Sequence, residues 1–302
     1  MTYALVPTAL TEAMLVSSTV PEPAAGEAEW NSATAYTAGQ TGIILAATHR
    51  KYKALQANTN KSPADPVNLN VYWVDDGPTL RWAMFDGGTS YQTTGTSPLT
   101  VVLKPGFCSS IYLGGLEAAG LEVTVKDAPG GTVIRHVVDS LEGSEPGDWW
   151  EYWFAPFKPR TDYLITGLPP YSQCEVTITL TGSGTLKCGL ASFGDVRDVG
   201  KAQYGAKASP RSYSTVKTTN GVSSIVRRRA GNDISLTNWA ELKDANAIHA
   251  TFMDLLDVPC LWIGTDLPNY NGLRSWGLGK GTISYDYPQD ILVTVEVTGL
   301  IK

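Results

Sequence analysis

Residues 121–138, LEVTVKDAPGGTVIRHVV, constrain the fold of this chain more than any other stretch. Two runs alternate apolar with polar residues on either side of Asp127-Ala128-Pro129-Gly130-Gly131. Alternation with a period of two places one set of side chains on one face of a strand, and a Pro/Gly-rich turn reverses the chain, so the segment reads as a β-hairpin. The pattern recurs at Leu99 to Leu103, Ser110 to Leu113, Asp162 to Leu164, Cys174 to Leu180 and Leu186 to Ser192, each run bounded by Gly or Pro. An antiparallel β-sandwich over residues 78–198 is the expectation. Only 17% of residues are charged while Gly numbers 30 and Pro 18, which suits many short strands and tight turns.

The flanking regions differ in texture. Residues 1–29 open with an apolar run, Tyr3 to Val6, able to join a sheet elsewhere in the protein or in a neighbouring subunit, and continue into a Pro/Ala/Gly/Glu stretch that reads as a linker. Residues 30–77 carry large aromatics through short strand-like runs, Ile43 to Leu45 and Tyr52 to Leu55, around Thr37-Ala38-Gly39-Gln40, Pro63 and Pro66. A unit of this size has few aliphatics to bury, so Trp30, Tyr36, Tyr52 and Trp73 either form its core or stand exposed as a sugar-stacking or docking platform. Residues 199–302 combine strand-like segments at Ser212 to Thr219, Ser223 to Arg228, Pro259 to Gly264 and Asp290 to Val297 with one helical stripe: Trp239, Leu242, Ala245, Ile248, Phe252 and Leu255. Asn238 as cap and Glu241 three residues on predict that helix from Trp239, with His249 beside the stripe as a boundary residue. The fold class expected is mainly β: a small aromatic β module, an antiparallel sandwich, and a C-terminal α+β domain with one amphipathic helix.

The order Trp30, Ala35-Tyr36-Thr37-Ala38-Gly39-Gln40, a strand, Tyr52-Lys53-Ala54 and Trp73 resembles the small chitin- and cellulose-binding modules attached to bacterial chitinases, which also recur in bacteriophage tail proteins. The resemblance implies a glycan-binding or docking role for Trp30, Tyr36, Tyr52 and Trp73. It departs from the family where Gln56, Ala57 and Asn58 stand in place of the paired aromatics that help form the sugar platform. The sandwich is similar in pattern to a galactose-binding-type jelly roll. The texture of Val258-Pro259-Cys260-Leu261-Trp262-Ile263-Gly264 followed by Trp276-Gly277-Leu278-Gly279-Lys280-Gly281 resembles C-terminal domains of phage virion proteins.

Charge and motifs narrow the chemistry. A net charge of −6 argues against a general nucleic-acid binder, and Arg227-Arg228-Arg229 stands as an isolated basic triplet. No apolar run reaches the length of a membrane span, and the N-terminus lacks the basic start of a signal peptide, so cytoplasmic synthesis without membrane insertion is expected. The four cysteines are expected as free buried thiols, with a Cys174–Cys188 disulfide across a hairpin as the alternative. His49, His136 and His249 are scattered without zinc spacing, and Asp75-Asp76-Gly77 and Asp86-Gly87-Gly88 lack the acidic spacing of a calcium loop. No metal site, cofactor or catalytic residue is expected.

Two segments invite partners. In residues 142–153, EGSEPGDWWEYW, carboxylates interleave with Trp149, Trp150 and Trp153. Glycoside hydrolysis would need two carboxyls held across a bond, with Glu145 or Glu151 as candidates, whereas the tryptophans suit an interface anchor. Residues 266–276 bring Tyr270, Arg274 and Trp276 as further interface candidates. The resemblances together imply a non-enzymatic structural component of a tailed bacteriophage, in the tail tip, baseplate or an adaptor of the virion. Its expected partners are other tail proteins, further copies of itself in a ring or other homo-oligomer, and host-surface polysaccharide. A soluble chitin- or polysaccharide-binding accessory protein is the alternative.

Overall fold

A computed structural model describes residues 1–300 apart from 89, 144–147, 155–158, 220, 221, 227–229, 266, 268 and 269, and without the side chains of 151, 152, 219 and 222. The chain is mainly β, with its longest helix near the C-terminus. The expected hairpin is present: strands Gly120–Lys126 and Val133–Ser140 pair antiparallel, and they lie in a five-stranded sheet with Glu175–Thr181, Leu99–Leu103 and Leu15–Ser18. The inward residues of that sheet, among them Leu121, Val123, Val125, Leu99, Val101, Val176 and Ile178, pack on Ile111, Leu113, Ala191 and Phe193 from a facing sheet. That is a sandwich core, produced by the period-two patterning of both layers.

The facing layer extends well beyond the sandwich. Its strand order runs from Asp162–Ile165 through Ser110–Gly114, Leu190–Asp198, Tyr3–Pro7, Cys260–Ile263, Arg274–Ser284 and Asp290–Gly299 to Ala230–Glu241, which also pairs with Lys201–Ala202 and Lys207–Ser212. The opening strand Tyr3–Pro7 is therefore the seam of one antiparallel sheet. Leu5 lies opposite Val196 on one side and Leu261 on the other. Its two faces serve different cores: Ala4 joins the C-terminal core around Trp262, whereas Leu5 joins Tyr112, Leu190, Leu261, Ile263 and Trp276.

This central sheet is strongly curled. The strands holding Tyr112 and Trp276 are four places apart, which would separate them by about 19 Å in a flat sheet. Their rings nevertheless stack at 6.0 Å between centroids and 15° between planes. The Leu5 cluster thus fills the concave side of the curl.

The remainder of the N-terminal segment is also pinned. Leu15–Ser18 is an edge strand of the sandwich, and the Pro/Ala/Gly/Glu stretch expected to act as a linker is tied down by its two acids. Glu22, nearly buried, accepts from Thr79 Oγ1 at 2.6 Å and pairs with His49 Nδ1 at 3.1 Å, while Glu27 accepts from the Leu80 and Ala24 amides. The His49 ring stacks on Trp82 at 4.1 Å. These bonds attach the small module, strands Ala28–Glu29, Ile43–Leu45, Arg50–Ala54 and Trp73–Pro78, to the sandwich.

The C-terminal helix begins later than the sequence suggests. Ala230–Glu241 is a strand that carries Asn238 and Trp239, a 3-10 turn follows at Leu242–Asp244, and the α-helix spans Ala245–Asp254. Asn238 caps nothing: it is fully buried and its Oδ1 accepts from Thr2 Oγ1 at 2.7 Å. Trp239 pairs across the sheet with Leu292. The rest of the stripe behaves as a helix, with Ala245, Ile248 and Leu255 buried and Phe252 packed on Trp262.

That packing explains the glycine alternation in Trp276-Gly277-Leu278-Gly279-Lys280-Gly281. Trp276 faces the curl and Leu278 is partly open to solvent, while Gly279 and Gly281 face the helix side. A Cβ on Gly279 would sit 2.2 Å from the Trp262 ring, and one on Gly281 would sit 2.3 Å from Phe252. The bare backbone is the shelf on which both rings lie.

Candidate docking site

In the small module, three of the four aromatics form a core. Trp73 is fully buried, Tyr36 and Tyr52 nearly so, and Trp30 packs half-buried against them. Tyr36 meets Trp73 edge to face at 5.1 Å, Trp73 Nε1 donates to the Lys61 carbonyl at 2.7 Å, and the Tyr36 hydroxyl accepts from the Asn31 amide. The rings of Tyr36, Tyr52 and Trp73 consequently have no open face on which a sugar could stack. With so few aliphatics, the module spends its aromatics on its own interior.

The two acidic turns of this region do converge. They meet on a cation that the chain itself supplies: Arg50 donates from Nε and Nη2 to Asp75 Oδ2 at 3.0 and 2.8 Å, and from Nη1 to Asp86 Oδ1 at 2.9 Å. Burial raises the Asp86 carboxyl above its usual range, with Arg50 pulling the other way. Among the described residues no group of three or more His, Cys, Asp or Glu is placed to hold a metal.

The four cysteines are all buried and unpaired, including Cys174 and Cys188. Burial pushes the thiol of Cys108 up to about 11 and that of Cys188 up to about 12. Neither is a thiolate at neutral pH.

The exposed aromatics lie in the connection between Val133–Ser140 and Asp162–Ile165. Its six-residue helix Trp149–Phe154 leaves Trp149 78%, Trp150 67%, Trp153 68% and Phe154 72% accessible. Trp150 and Phe154, one helical turn apart, approach to 6.0 Å between rings. Phe154 is absent from the sequence candidates, although its i, i+4 spacing from Trp150 marks it. Glu145 lies outside the described residues, as does the side chain of Glu151.

The base of this aromatic turn is firmly held. Leu141 is fully buried and its amide donates to the Ala119 carbonyl, while the Arg160 amide donates back to the Leu141 carbonyl at 2.9 Å. Arg160 Nη1 reaches Asp139 Oδ2 at 2.7 Å, and its guanidinium lies 4.9 Å over the Tyr163 ring. Burial, then the neighbouring Asp139, raises the Tyr163 phenol above its usual range. Beside the base runs a groove of about 940 Å³ lined by Leu116, Glu117, Ala119, Asp139, Glu142, Pro159, Arg160 and Leu186, among others. Two of its carboxylates are engaged, Asp139 with Arg160 and Glu117 with Lys187.

The second candidate segment divides. Tyr270 is exposed beside Tyr204 and Leu267 around a smaller groove of about 480 Å³. Arg274 and Trp276 turn inward: Arg274 is half-buried with its Nε shielded from solvent. Trp276, expected as an interface anchor, is a core residue in strand Arg274–Ser284, stacked on Tyr112 and donating from Nε1 to the Gly87 carbonyl at 3.1 Å. A large ring in the concavity of a curled sheet fills space that no smaller side chain would. Compared with protein families, with curated proteins and with solved structures, the chain matches none.

Proposed function

We propose that the protein is a non-enzymatic structural component of a bacteriophage tail, in the tip, baseplate or an adaptor, and that the Trp149–Phe154 turn is its principal docking element. The observation that carries the docking role is four large rings, each about two-thirds exposed or more, on a turn whose base is fixed by hydrogen bonds and an ion pair. Exposed tryptophans of this kind supply the buried anchors of protein interfaces. Placement in a tail rests on the resemblance of residues 30–73 and 255–302 to modules of phage virion proteins. The partner is a neighbouring tail protein.

Mass spectrometry of purified tailed particles tests the placement: the chain is expected in a fixed multiple copy number, and its absence from particles overturns the reading. Trp150→Ala with Trp153→Ala tests the anchor. The variant chain is expected to fold and to be lost from the particle.

A second reading draws on the same rings, since exposed indole faces also suit stacking on sugars. It assigns the turn to chitin-like or host-surface polysaccharide. Retention on insoluble chitin or host envelope glycans that disappears in the double variant, with particle incorporation intact, would favour it.

A further inference from the structure

The strand Ala230–Glu241 ends in side chains that its pairing sets next to one another. Trp239 lies opposite Leu292 on one side and Lys201 on the other, and Glu241 lies opposite Asp290. Directly opposed residues of antiparallel strands share a face, with Cβ atoms about 5 Å apart, and so do residues two apart along one strand. Lys201, Trp239, Glu241 and Asp290 therefore project together. Tyr287 holds the Trp239 ring at 4.8 Å with a tilt of 41° between planes, and the ring stays partly open to solvent. Among the described residues no group accepts a hydrogen bond from its Nε1.

These four side chains line a groove of about 600 Å³, together with Arg197 and Asp198 at the end of strand Leu190–Asp198 and with Asp244, Ile248 and Thr251 at the C-terminal helix. Its volume falls within the roughly 300–1,000 Å³ of small-ligand sites, and every residue that lines it is described. Much of its polar chemistry is unspent. Arg197, Lys201 and Asp290 make no side-chain hydrogen bond or ion pair among the described residues, and Asp244 forms no ion pair. The other two acids are engaged: Glu241 with Lys243 at 2.6 Å, and Asp198 with the Gly200 amide at 2.8 Å. Two unpaired cations thus stand against two unpaired carboxylates, around an indole. A strongly charged ligand would meet as much repulsion as attraction there. A hydroxyl-rich ligand uses both kinds of group, because each hydroxyl donates to a carboxylate and accepts from a cation.

We infer that this groove binds a neutral saccharide. The apolar face of a sugar ring lies on Trp239, while its hydroxyls donate to Asp290 and Asp244 and accept from Arg197 and Lys201. Asp162–Ile165, the strand that follows the aromatic turn, and Lys201–Ala202 stand at opposite ends of the central sheet's strand order. The site is therefore separate from the Trp149–Phe154 turn and holds whether that turn docks a protein or a sugar.

Indole N–H spectra of the full chain, labelled with nitrogen-15, read the site directly, with the Trp239 signal assigned through Trp239→Phe. Tetrasaccharides of glucose, galactose and N-acetylglucosamine are the probes, each titrated to millimolar concentration. At least one is expected to move the Trp239 signal saturably. Trp239→Ala is expected to weaken that binding at least tenfold, and Arg197→Gln and Asp290→Asn at least threefold each, with circular dichroism reporting the fold. The two polar variants keep the test decisive should Trp239→Ala fail to fold. The chain carrying Trp150→Ala with Trp153→Ala is expected to bind as wild type does, which separates this groove from the turn. A Trp239 signal that none of the three sugars moves overturns the proposal, as does binding indifferent to both polar variants or lost with the two turn tryptophans. The same shift produced by tetramethylammonium chloride or sodium acetate alone makes the groove an ion site and also overturns it.

Discussion

Replacing Leu5 by Ala probes the seam between the sandwich and the C-terminal sheet. Leu5 is fully buried, so the truncation removes three carbons from a dry site, about 2.4 kcal/mol at roughly 0.8 kcal/mol per methylene. The cavity adds to this, because its walls are the large side chains Tyr112, Leu261, Ile263 and Trp276 on strands bonded on both sides, which limits collapse. The expected loss is about 3–4 kcal/mol, within the range of buried Leu→Ala changes. Urea unfolding measures the total, and amide exchange shows where it is felt. Protection in Leu190–Asp198 and in Cys260–Ile263 is expected to fall together by about two orders of magnitude, since both pair with the same short strand. Val16→Ala, at an exposed position of the same N-terminal segment, is the control and is expected within about 0.5 kcal/mol of wild type. A loss below about 1 kcal/mol, or a response confined to one of the two flanking strands, would refute the assignment of Tyr3–Pro7 as a shared seam.

Two further outcomes are expected. Gly279→Ala pushes a methyl against the Trp262 ring and should lower stability by about 1–3 kcal/mol, whereas Leu278→Ala, on the other face, should cost less; equal effects in denaturant melts would contradict the shelf. Cys108 and Cys188 have thiols raised in the fold from an ordinary 9.0 to about 11 and about 12, so their contribution is complete below pH 9 and is lost as pH climbs through the folded values. Over that climb the unfolded chain ionises first, which draws the equilibrium toward unfolding. From pH 8 to pH 10 the two thiols should together cost about 3 kcal/mol, since each adds about 1.4 kcal/mol for every pH step of one in which it ionises only when unfolded, and Cys188→Ala should flatten the slope. Unchanged stability over that interval would show that the thiols are not held neutral by burial.

What the sequence discloses depends on how local the deciding interaction is. The hairpin at 120–140 and the sandwich strands are readable because alternation and turn residues act over a few positions. The helix is readable as a stripe but not at its start, since Trp239 and Leu242 fit a helical period while Trp239 is held as a strand by its pairing with Leu292. Tyr3–Pro7 offers only an apolar run, because its partners lie beyond residue 189 and nothing near it records the register. The same limit governs the site. The Trp149–Trp153 cluster stands out as composition, whereas the burial of Trp276 against Tyr112 and the meeting of Asp75 with Asp86 on Arg50 depend on strands that the local pattern does not bring together.

The position of Tyr3–Pro7 also sets a schedule for synthesis. Leu5 leaves the ribosome about 256 residues before its partner Leu261, a delay of roughly 13–50 s at 5–20 residues per second. Once residue 198 has emerged, the sandwich strands 99–181 have every partner they need, while Tyr3–Pro7 can pair only with Leu190–Asp198 and keeps one edge open until Cys260–Ile263 follows. Closure of the sheet thus joins segments made about 256 residues apart. A nascent protein halted before residue 260 would carry an unpaired strand edge, a site for a chaperone or for the same edge of another nascent chain.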